Sequence, residues 1–396
     1  MTSKAPSLVP AATPTISVAR TFALHLWAFV LPLVNLAFLL TGPHVWWSAL
    51  SWSLAIVVLV LMDNNAQPDH RQPPASLPSL PFDIQLYVLA ALQLANHVLV
   101  GVMASRLHLG SLADVGTALS NLFSVMLVSG VTAGYSGIVL AHELVHRRSR
   151  FAFNLGRLLL VMVCYEQFAT EHVRGHHPRL GTPEDPATAR FGETLVDFIR
   201  RTIPAQFWSA WHLEKVRLGD AGMRLWDPRM LRHRVLQGVV AEVLVVLAYL
   251  LVFGPLAVVF FLVQARTAVV LLETVNYIEH WGISRATRAV TPVDSWDTDN
   301  AFTLRTLVGL SRHADHHAQA SRPYQSLRYF EESPKMPLGY YGTILLALFR
   351  NDDYRARATE ELARRRLGPY RDGAILASAA ASEPPIAFAD TRQRAI

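Results

Sequence analysis

The chain has 396 residues, of which 52% are hydrophobic and 17% are charged, and its formal net charge is +6. Soluble domains carry roughly 25% charged residues, so this composition excludes an ordinary soluble globular protein and indicates a lipid environment. A single cysteine, Cys164, excludes internal disulfides and metal clusters held by several thiolates.

Six apolar segments predict six transmembrane helices, because each approaches or exceeds the roughly 18–20 residues that cross a bilayer core. The segments lie at about residues 21–40, 45–62, 84–103, 119–141, 235–253 and 255–275. A further stretch, residues 151–169, is apolar but is interrupted by Asn154, Arg157 and Glu166, which predicts a helix at the membrane interface. The predicted fold is therefore an all-α integral membrane domain of six transmembrane helices over residues 21–350.

Two tails flank this domain. Residues 1–20 are rich in Pro, Ser, Thr and Ala, which predicts a disordered N-terminal tail. Residues 351–396 begin with a charged stretch that predicts a short helix and end in a segment rich in Ala, Ser and Pro that predicts a flexible tail.

The distribution of positive charge predicts the orientation in the membrane. Residues 142–234 contain fifteen Lys and Arg residues, whereas the short links after the first and fifth apolar segments contain none. By the positive-inside rule, the 142–234 segment is cytoplasmic. With six spans, both termini then lie on the cytoplasmic side as well.

Histidines are concentrated in four short stretches that all fall on the predicted cytoplasmic side. Spacings of three and four residues place side chains on one face of a helix, so each stretch can direct its imidazoles toward one point. Nine of the sixteen histidines belong to these stretches: His142 and His146; His172, His176 and His177; His280; and His313, His316 and His317.

The first stretch, His142-Glu143-Leu144-Val145-His146, has by itself the HExxH pattern of zinc proteases. A zinc protease needs three protein ligands and keeps one position open, whereas nine imidazoles suit two metals with four or five ligands each. An all-nitrogen ligand set favours iron, copper or zinc over magnesium or calcium. The sequence thus predicts a histidine-rich dinuclear metal site.

The three boxes HxxxH, HxxxHH and HxxHH resemble those of the integral-membrane fatty acid desaturases and hydroxylases. More narrowly, the segments 171–177 (EHVRGHH), 276–282 (NYIEHWG) and 310–328 (LSRHADHHAQASRPYQSLR) resemble the membrane-bound alkane monooxygenases. The resemblance covers about residues 20–350. Its departures are small: Trp281 stands where that family usually has Tyr, Arg147 where it often has Lys, and Ala314 and Ser311 at positions that vary between polar and small residues.

This resemblance implies a non-haem di-iron centre held by the nine histidines, with no catalytic side chain beyond the metal centre. It implies O₂-dependent terminal hydroxylation of medium- to long-chain n-alkanes in the bacterial cytoplasmic membrane. Electrons would come from rubredoxin, which is reduced by an NADH-dependent rubredoxin reductase; no nucleic acid is expected as a partner.

Acidic residues beside the ligands would offset the charge of two metal ions and orient the imidazoles. Four carboxylates adjoin ligand histidines, a fifth lies in the sixth span, and one arginine is a candidate partner for them or for the redox protein. These residues are Glu143, Glu171, Glu279, Asp315, Glu273 and Arg312. The basic cytoplasmic face either serves only as the topology signal or also steers an acidic electron carrier.

Bulky side chains on the spans would limit the length of alkane that reaches the metals from the bilayer. In the second span, Trp52 is a candidate gate and Ala55 a candidate gap one turn further in. We hypothesise that Ala55 lets longer chains pass.

Other functions share parts of these patterns. A fatty acyl desaturase or an aryl-methyl (xylene-type) monooxygenase would use the same histidine boxes. An intramembrane zinc protease would use only His142, Glu143 and His146. A metal transporter would need polar residues deep in several spans, and only His97 and Glu242 meet that description.

Overall fold

The computed structural model describes residues 17–74, 76–285, 287 and 289–371. Within these residues the regular secondary structure is helical, and extended segments pair only at two isolated bridges. The predicted all-α fold is confirmed. The tail predicted for residues 1–20 and the end of the C-terminal tail lie largely outside the described residues.

Six helices in the described part of the chain are long and apolar enough to cross a membrane, as predicted. They are Val18–Thr41, Trp46–Asn64, Ser79–Ser105, Leu112–Val145, Arg234–Phe253 and Pro255–His280, and they are called spans one to six below. The protein is therefore consistent with a multi-pass membrane protein.

Three of the spans are not uniform α-helices. Span one changes to a 3₁₀ turn at Leu26–Phe29, and span two consists of Trp46–Ser51 and Leu54–Asn64. Span four contains two π-helical stretches, Val125–Gly130 and Ala133–Ile138, before it returns to α-helix. Such π-helical stretches are frequent at functional sites, and these two lead directly to the first histidine pair.

Spans five and six form a tight hairpin. Gly254 links them with a φ of 87°, a conformation that glycine adopts without steric cost. Pro255 then occupies the first turn of span six, where its missing N–H removes no helical hydrogen bond.

The remaining helices in the described part of the chain lie outside the six spans. The helix predicted at the interface within residues 151–169 covers Arg150–Val161 and ends earlier than expected. The others are Phe168–Glu171, the π-helical turn His172–His176, His177–Arg179, Leu195–Arg217, Ala301–Thr306, His313–Ala318, Tyr340–Phe349 and Asn351–Arg365, with 3₁₀ turns at Pro228–Arg232, Pro292–Asp294, Tyr324–Ser326 and Gly368–Tyr370.

The apolar helix Tyr340–Phe349 was not predicted, and it packs against spans two and six. Its first turn is held by Asp63 at the end of span two, whose Oδ2 accepts hydrogen bonds from the backbone N–H groups of Tyr341 (2.7 Å) and Gly342 (3.2 Å). The carboxylate thereby satisfies N–H groups that a helix start leaves without partners.

His97 lies fully buried in span three, between two glutamine side chains. Its Nε2 is 3.2 Å from Nε2 of Gln93, and its Nδ1 is 2.7 Å from Nε2 of Gln264 in span six. Both ring nitrogens face an amide nitrogen, and a neutral imidazole has one acceptor nitrogen, so one of the two amide N–H groups can donate to the ring. This pairing accounts for a polar ring in the middle of the bundle.

Candidate metal centre

The four histidine stretches meet at one end of the bundle. His142 lies in the last turn of span four, and His280 is the last residue of span six. The π-helical turn after Glu171 carries the second stretch, and the short helix His313–Ala318 carries the fourth. The structure therefore brings together all nine histidines that the sequence singles out.

Five of the nine form one group whose candidate ligand atoms lie within 4.8 Å of one another: His142, His146, His172, His177 and His316. Within it, Nε2 of His177 lies 3.0 Å from Nε2 of His172 and 3.1 Å from Nε2 of His316. We call this set the five-histidine group.

The other four form a second group beside the first. His176, His280 and His317 bring their ligand atoms within 4.8 Å of one another. Nε2 of His313 lies 2.9 Å from Nε2 of His317 and 3.3 Å from Nε2 of His280. We call this set the four-histidine group.

These donor sets fit two metal ions. Nitrogen atoms about 3 Å apart are spaced as two ligands of one metal would be at bond lengths of about 2.1 Å. In the described residues, the buried Nε2 atoms of His142, His146 and His176 have no hydrogen-bond partner. Buried polar atoms without partners are costly, and a metal ion in each group would satisfy them.

The imidazoles are held in the form that binds metals. Burial, followed by the neighbouring His176, lowers the pKa of His146 to about 4. Burial and the surrounding imidazoles lower the pKa values of His172, His177 and His316 well below the usual range. These four rings are therefore neutral near pH 7, and a metal need not displace a proton from an imidazolium there.

Two carboxylates contact ligand histidines directly. Asp185, which the sequence did not single out, has its Oδ2 2.8 Å from Nδ1 of His176. Burial alone would raise the pKa of Asp185, but His176 and the Thr188 hydroxyl lower it overall. Glu279, which was predicted, has Oε2 3.1 Å from Nε2 of His313 and accepts a hydrogen bond of 2.6 Å from the Tyr340 hydroxyl.

The other predicted acids contact different partners. Glu143 pairs with Arg147 at 2.6 Å, and Glu171 pairs with Arg179, while burial raises the pKa of Glu171 to about 7. Asp315 forms ion pairs with Arg322 and Arg328. Glu273 accepts hydrogen bonds from Tyr165, Gln206 and Asn276. Arg312 donates hydrogen bonds to the carbonyl groups of Leu327, Asp69 and Arg71.

An apolar cavity of about 470 Å³ begins at His142, His172 and His313 and extends into the membrane half of the bundle. Spans two, four and six and the helix Tyr340–Phe349 form its walls. The wall residues include Ile56, Leu59, Val60, Leu127, Val131, Val270, Leu271, Ile344, Leu345 and Leu348. Leu127 precedes His142 by fifteen residues, so the cavity follows span four for roughly 20 Å.

The structure does not place Trp52 or Ala55 along this cavity. Trp52 packs instead near Phe38 and His44, with ring centroids 5.9 and 5.6 Å away. The cavity side of span two begins at Ile56, so the predicted gate and gap lie on another part of the same span.

Sequence reasoning also missed Arg266, which lines the cavity fourteen residues before His280 and adds a charge within span six. Neither Asp185 nor Tyr340 carries a local signal, because each reaches the site only through folding of a distant segment. An arginine within an apolar segment is readable from sequence, and Arg266 was overlooked there.

Comparisons with known proteins agree with this geometry. The sequence model of the fatty acid desaturase family matches residues 119–344, which include all nine histidines. An alkane 1-monooxygenase of Alcanivorax borkumensis is 33% identical over 82% of this chain and 81% of its own length. The chain therefore belongs to the fatty acid desaturase family and to its alkane 1-monooxygenase branch.

Two further relatives match this chain, one at higher and one at lower identity. An alkane 1-monooxygenase of Pseudomonas aeruginosa is 41% identical over 56% of this chain, and the matched segment spans 59% of that relative's length. The hydroxylase component of a xylene/toluene monooxygenase of Pseudomonas putida is 23% identical over 78% of this chain and 81% of its own length.

Proposed function

We propose that the protein hydroxylates the terminal methyl group of medium- to long-chain n-alkanes, using O₂ and a non-haem di-iron centre. The observation that carries this proposal is the apolar cavity that ends on both histidine groups. In the overall reaction, one atom of O₂ enters a C–H bond to give the 1-alkanol. The other atom leaves as water after uptake of two electrons and two protons.

Two bound irons would supply O₂ activation and removal of hydrogen from an unactivated C–H bond. The chain's own residues position and protect that chemistry. Tyr135, Ile138 and Val139 line the cavity along span four toward His142, so a chain that enters from the membrane meets the metal positions with its end. Their apolar surface excludes water from the reacting end.

The side chains around the two groups also hold the ligands in place. Asp185 fixes the ring of His176, and Tyr340 holds the carboxylate of Glu279 beside His313. A carboxylate on the nitrogen that does not bind metal, as Asp185 is on Nδ1 of His176, orients the ring and increases its basicity. Glu279 instead lies on the Nε2 side of His313, where its carboxylate would be a further metal ligand. Glu143 and Asp315 instead pair with arginines that link neighbouring segments.

A fatty acyl chain is the second candidate substrate, because Arg266 places a guanidinium beside an otherwise apolar cavity. An n-alkane remains the first candidate, since the walls between Arg266 and the histidines are lined mainly by aliphatic side chains. The xylene/toluene monooxygenase relative makes an aryl-methyl substrate a third.

Rubredoxin and an NADH-dependent rubredoxin reductase complete the proposal as the electron source. The metal site would face the cytoplasm of a bacterial inner membrane, with both termini on that side. The support is the clustering of arginines on the histidine side of the spans.

Metal analysis of the purified protein, combined with an O₂-dependent assay, tests the proposal. We expect about two irons per chain and 1-alkanols from n-alkanes in the presence of rubredoxin, its reductase and NADH. The same assay receives a fatty acid and a xylene in parallel. One zinc per chain, or products from the fatty acid or xylene but not from alkanes, would contradict it.

A further inference from the structure

Span six carries a single arginine, Arg266, in the part of the helix that would lie near the middle of the bilayer. It follows Pro255, at one end of the span, by eleven residues and precedes His280, at the other end, by fourteen. At about 1.5 Å per residue, these separations are roughly 17 and 21 Å along the helix axis. An arginine side chain is much shorter than either distance, so its guanidinium cannot reach a headgroup region by extending along the helix.

Arg266 has contact with both the outside of the bundle and the apolar cavity. It is exposed on the surface of span six, and it is also one of the residues that line the cavity. Leu127 of span four lines the cavity fifteen residues before His142, so Leu127 and Arg266 mark a similar depth. Arg266 therefore lies at the rim of the cavity, at the end that is far from the histidines.

The charge of Arg266 has no acidic partner in the part of the chain that the structure describes, because no carboxylate oxygen lies within 4.0 Å of its guanidinium nitrogens. Glu242 of span five accepts a 2.8 Å hydrogen bond from the backbone N–H of Glu166. Glu273 of span six accepts a 2.7 Å hydrogen bond from the Tyr165 hydroxyl. A charge at this depth is costly unless it is paired, and such residues mark functional sites in membrane proteins. An anionic group that arrives from the bilayer would supply the partner.

We propose that the protein also hydroxylates the ω-methyl group of long-chain fatty acids, with the carboxylate of the substrate paired to Arg266 and the methyl end at the histidine groups. A guanidinium binds a carboxylate through two parallel N–H···O hydrogen bonds. The reaction rests on the proposed function, because the same metal centre would carry it out. One atom of O₂ enters a C–H bond of the terminal methyl group. The other atom leaves as water after uptake of two electrons from the external carrier and two protons, and the carboxylate is unchanged.

The position of Arg266 determines the orientation and the length of the acid. A fatty acid that enters from the bilayer with its methyl end first passes along the aliphatic walls, and its charged end comes to lie at the rim. An extended hydrocarbon chain advances about 1.3 Å per carbon, so about 12–16 carbons cover the distance between the levels of Arg266 and His280. The opposite orientation would leave Arg266 without a partner.

The test compares tetradecanoate with tetradecane as substrates of the iron-loaded protein, in the presence of rubredoxin, its reductase and NADH. The wild type should form ω-hydroxytetradecanoate from the acid and 1-tetradecanol from the alkane. Arg266→Met removes the charge and should lower the ratio of kcat/KM for the acid to kcat/KM for the alkane about 10–100-fold. Arg266→Lys keeps a charge without the planar fork and should restore part of that ratio.

Two comparisons separate pairing with the carboxylate from a general disturbance of the helix. Leu262, one turn before Arg266, is 45% exposed and does not line the cavity, so Leu262→Met should leave the ratio unchanged. Octanoate covers only about half of the distance to the histidines and should be hydroxylated at least about tenfold more slowly than tetradecanoate. Iron content is measured for every variant, and Arg266→Gln replaces Arg266→Met if the latter does not fold.

Equal ratios in the wild type and in Arg266→Met would overturn the inference, as would formation of 1-tetradecanol without hydroxylation of tetradecanoate. Both results would leave the proposed alkane reaction intact. Hydroxylation near the carboxyl end would overturn it as well, because the acid would then lie in the opposite orientation. Formation of ω-hydroxytetradecanoate with the expected loss in Arg266→Met, but without 1-tetradecanol from tetradecane, would reject the proposed alkane substrate and support the role of Arg266.

Discussion

Hydrogen bonds and ion pairs surround the histidine end of the site, whereas the membrane half of the cavity is lined almost entirely by aliphatic side chains. At the histidine end, Asp185, Glu279 and Tyr340 hold ligand rings and each other at distances of 2.6–3.1 Å. Along the cavity, where Arg266 is the charged lining residue away from the histidine end, shape is the main property that separates one substrate from another. The histidine end should therefore respond steeply to single polar substitutions, and the cavity should respond gradually to changes in volume.

The largest expected effect is loss of a ligand. His316→Ala should remove metal from the five-histidine group and reduce alkane hydroxylation by more than 100-fold, because residues that merely orient ligands already change metal affinity or activity by about 10–100-fold. Mass spectrometry measures the metal content, and gas chromatography measures the amount of 1-alkanol formed. His212→Ala, at an exposed histidine outside both groups, serves as the control. Retained activity would favour a zinc site built on His142, Glu143 and His146 alone.

A smaller effect is expected at the carboxylate that sequence reasoning missed. Asp185→Asn removes the charge beside His176 and should weaken metal retention about 10–100-fold in a chelator titration. Glu184→Gln removes the neighbouring exposed carboxylate and should leave retention unchanged. If the two variants lost metal equally, the contact between Asp185 and His176 would have no special role.

Chain-length selection should shift moderately when the cavity wall is enlarged. Val60→Trp fills space on the cavity side of span two and should reduce turnover of the longest accepted alkane about tenfold while shorter alkanes are spared. Ala55→Trp lies on the same span outside the lining residues and tests the earlier hypothesis directly. A shortened profile with Ala55→Trp, and an unchanged one with Val60→Trp, would restore Ala55 as the determinant.

The smallest expected effect is on stability. Asp63→Ala removes the side chain that accepts hydrogen bonds from Tyr341 and Gly342 and should cost about 1 kcal/mol. In detergent, Tm should fall by a few degrees by differential scanning fluorimetry. Asn65→Ala removes an exposed side chain two residues away and should leave Tm nearly unchanged. A larger loss for Asn65→Ala than for Asp63→Ala would refute the capping role.

Features that depend on local sequence patterns were predictable, whereas features that depend on the packing of distant segments were not. Hydropathy determines the six spans, because a helix that crosses lipid must be long and apolar whatever its neighbours are. Histidine spacing indicated the candidate ligands of the three boxes, since residues three and four apart share one face of a helical segment, and His280 stood out as a histidine at the end of the sixth span. Asp185, Tyr340 and the cavity side of span two depend on how distant segments pack. No local pattern distinguishes Ile56 from Ala55.

The helix Tyr340–Phe349 also has a consequence for biogenesis. It is synthesised after all six spans and all nine histidines, yet it closes one wall of the cavity and its first residue holds Glu279. A chain that ended before residue 340 would contain all six spans and all nine histidines. It would lack the cavity wall that the helix Tyr340–Phe349 forms. The cavity wall is thus completed only after the helix Tyr340–Phe349 has been synthesised and has packed against spans two and six.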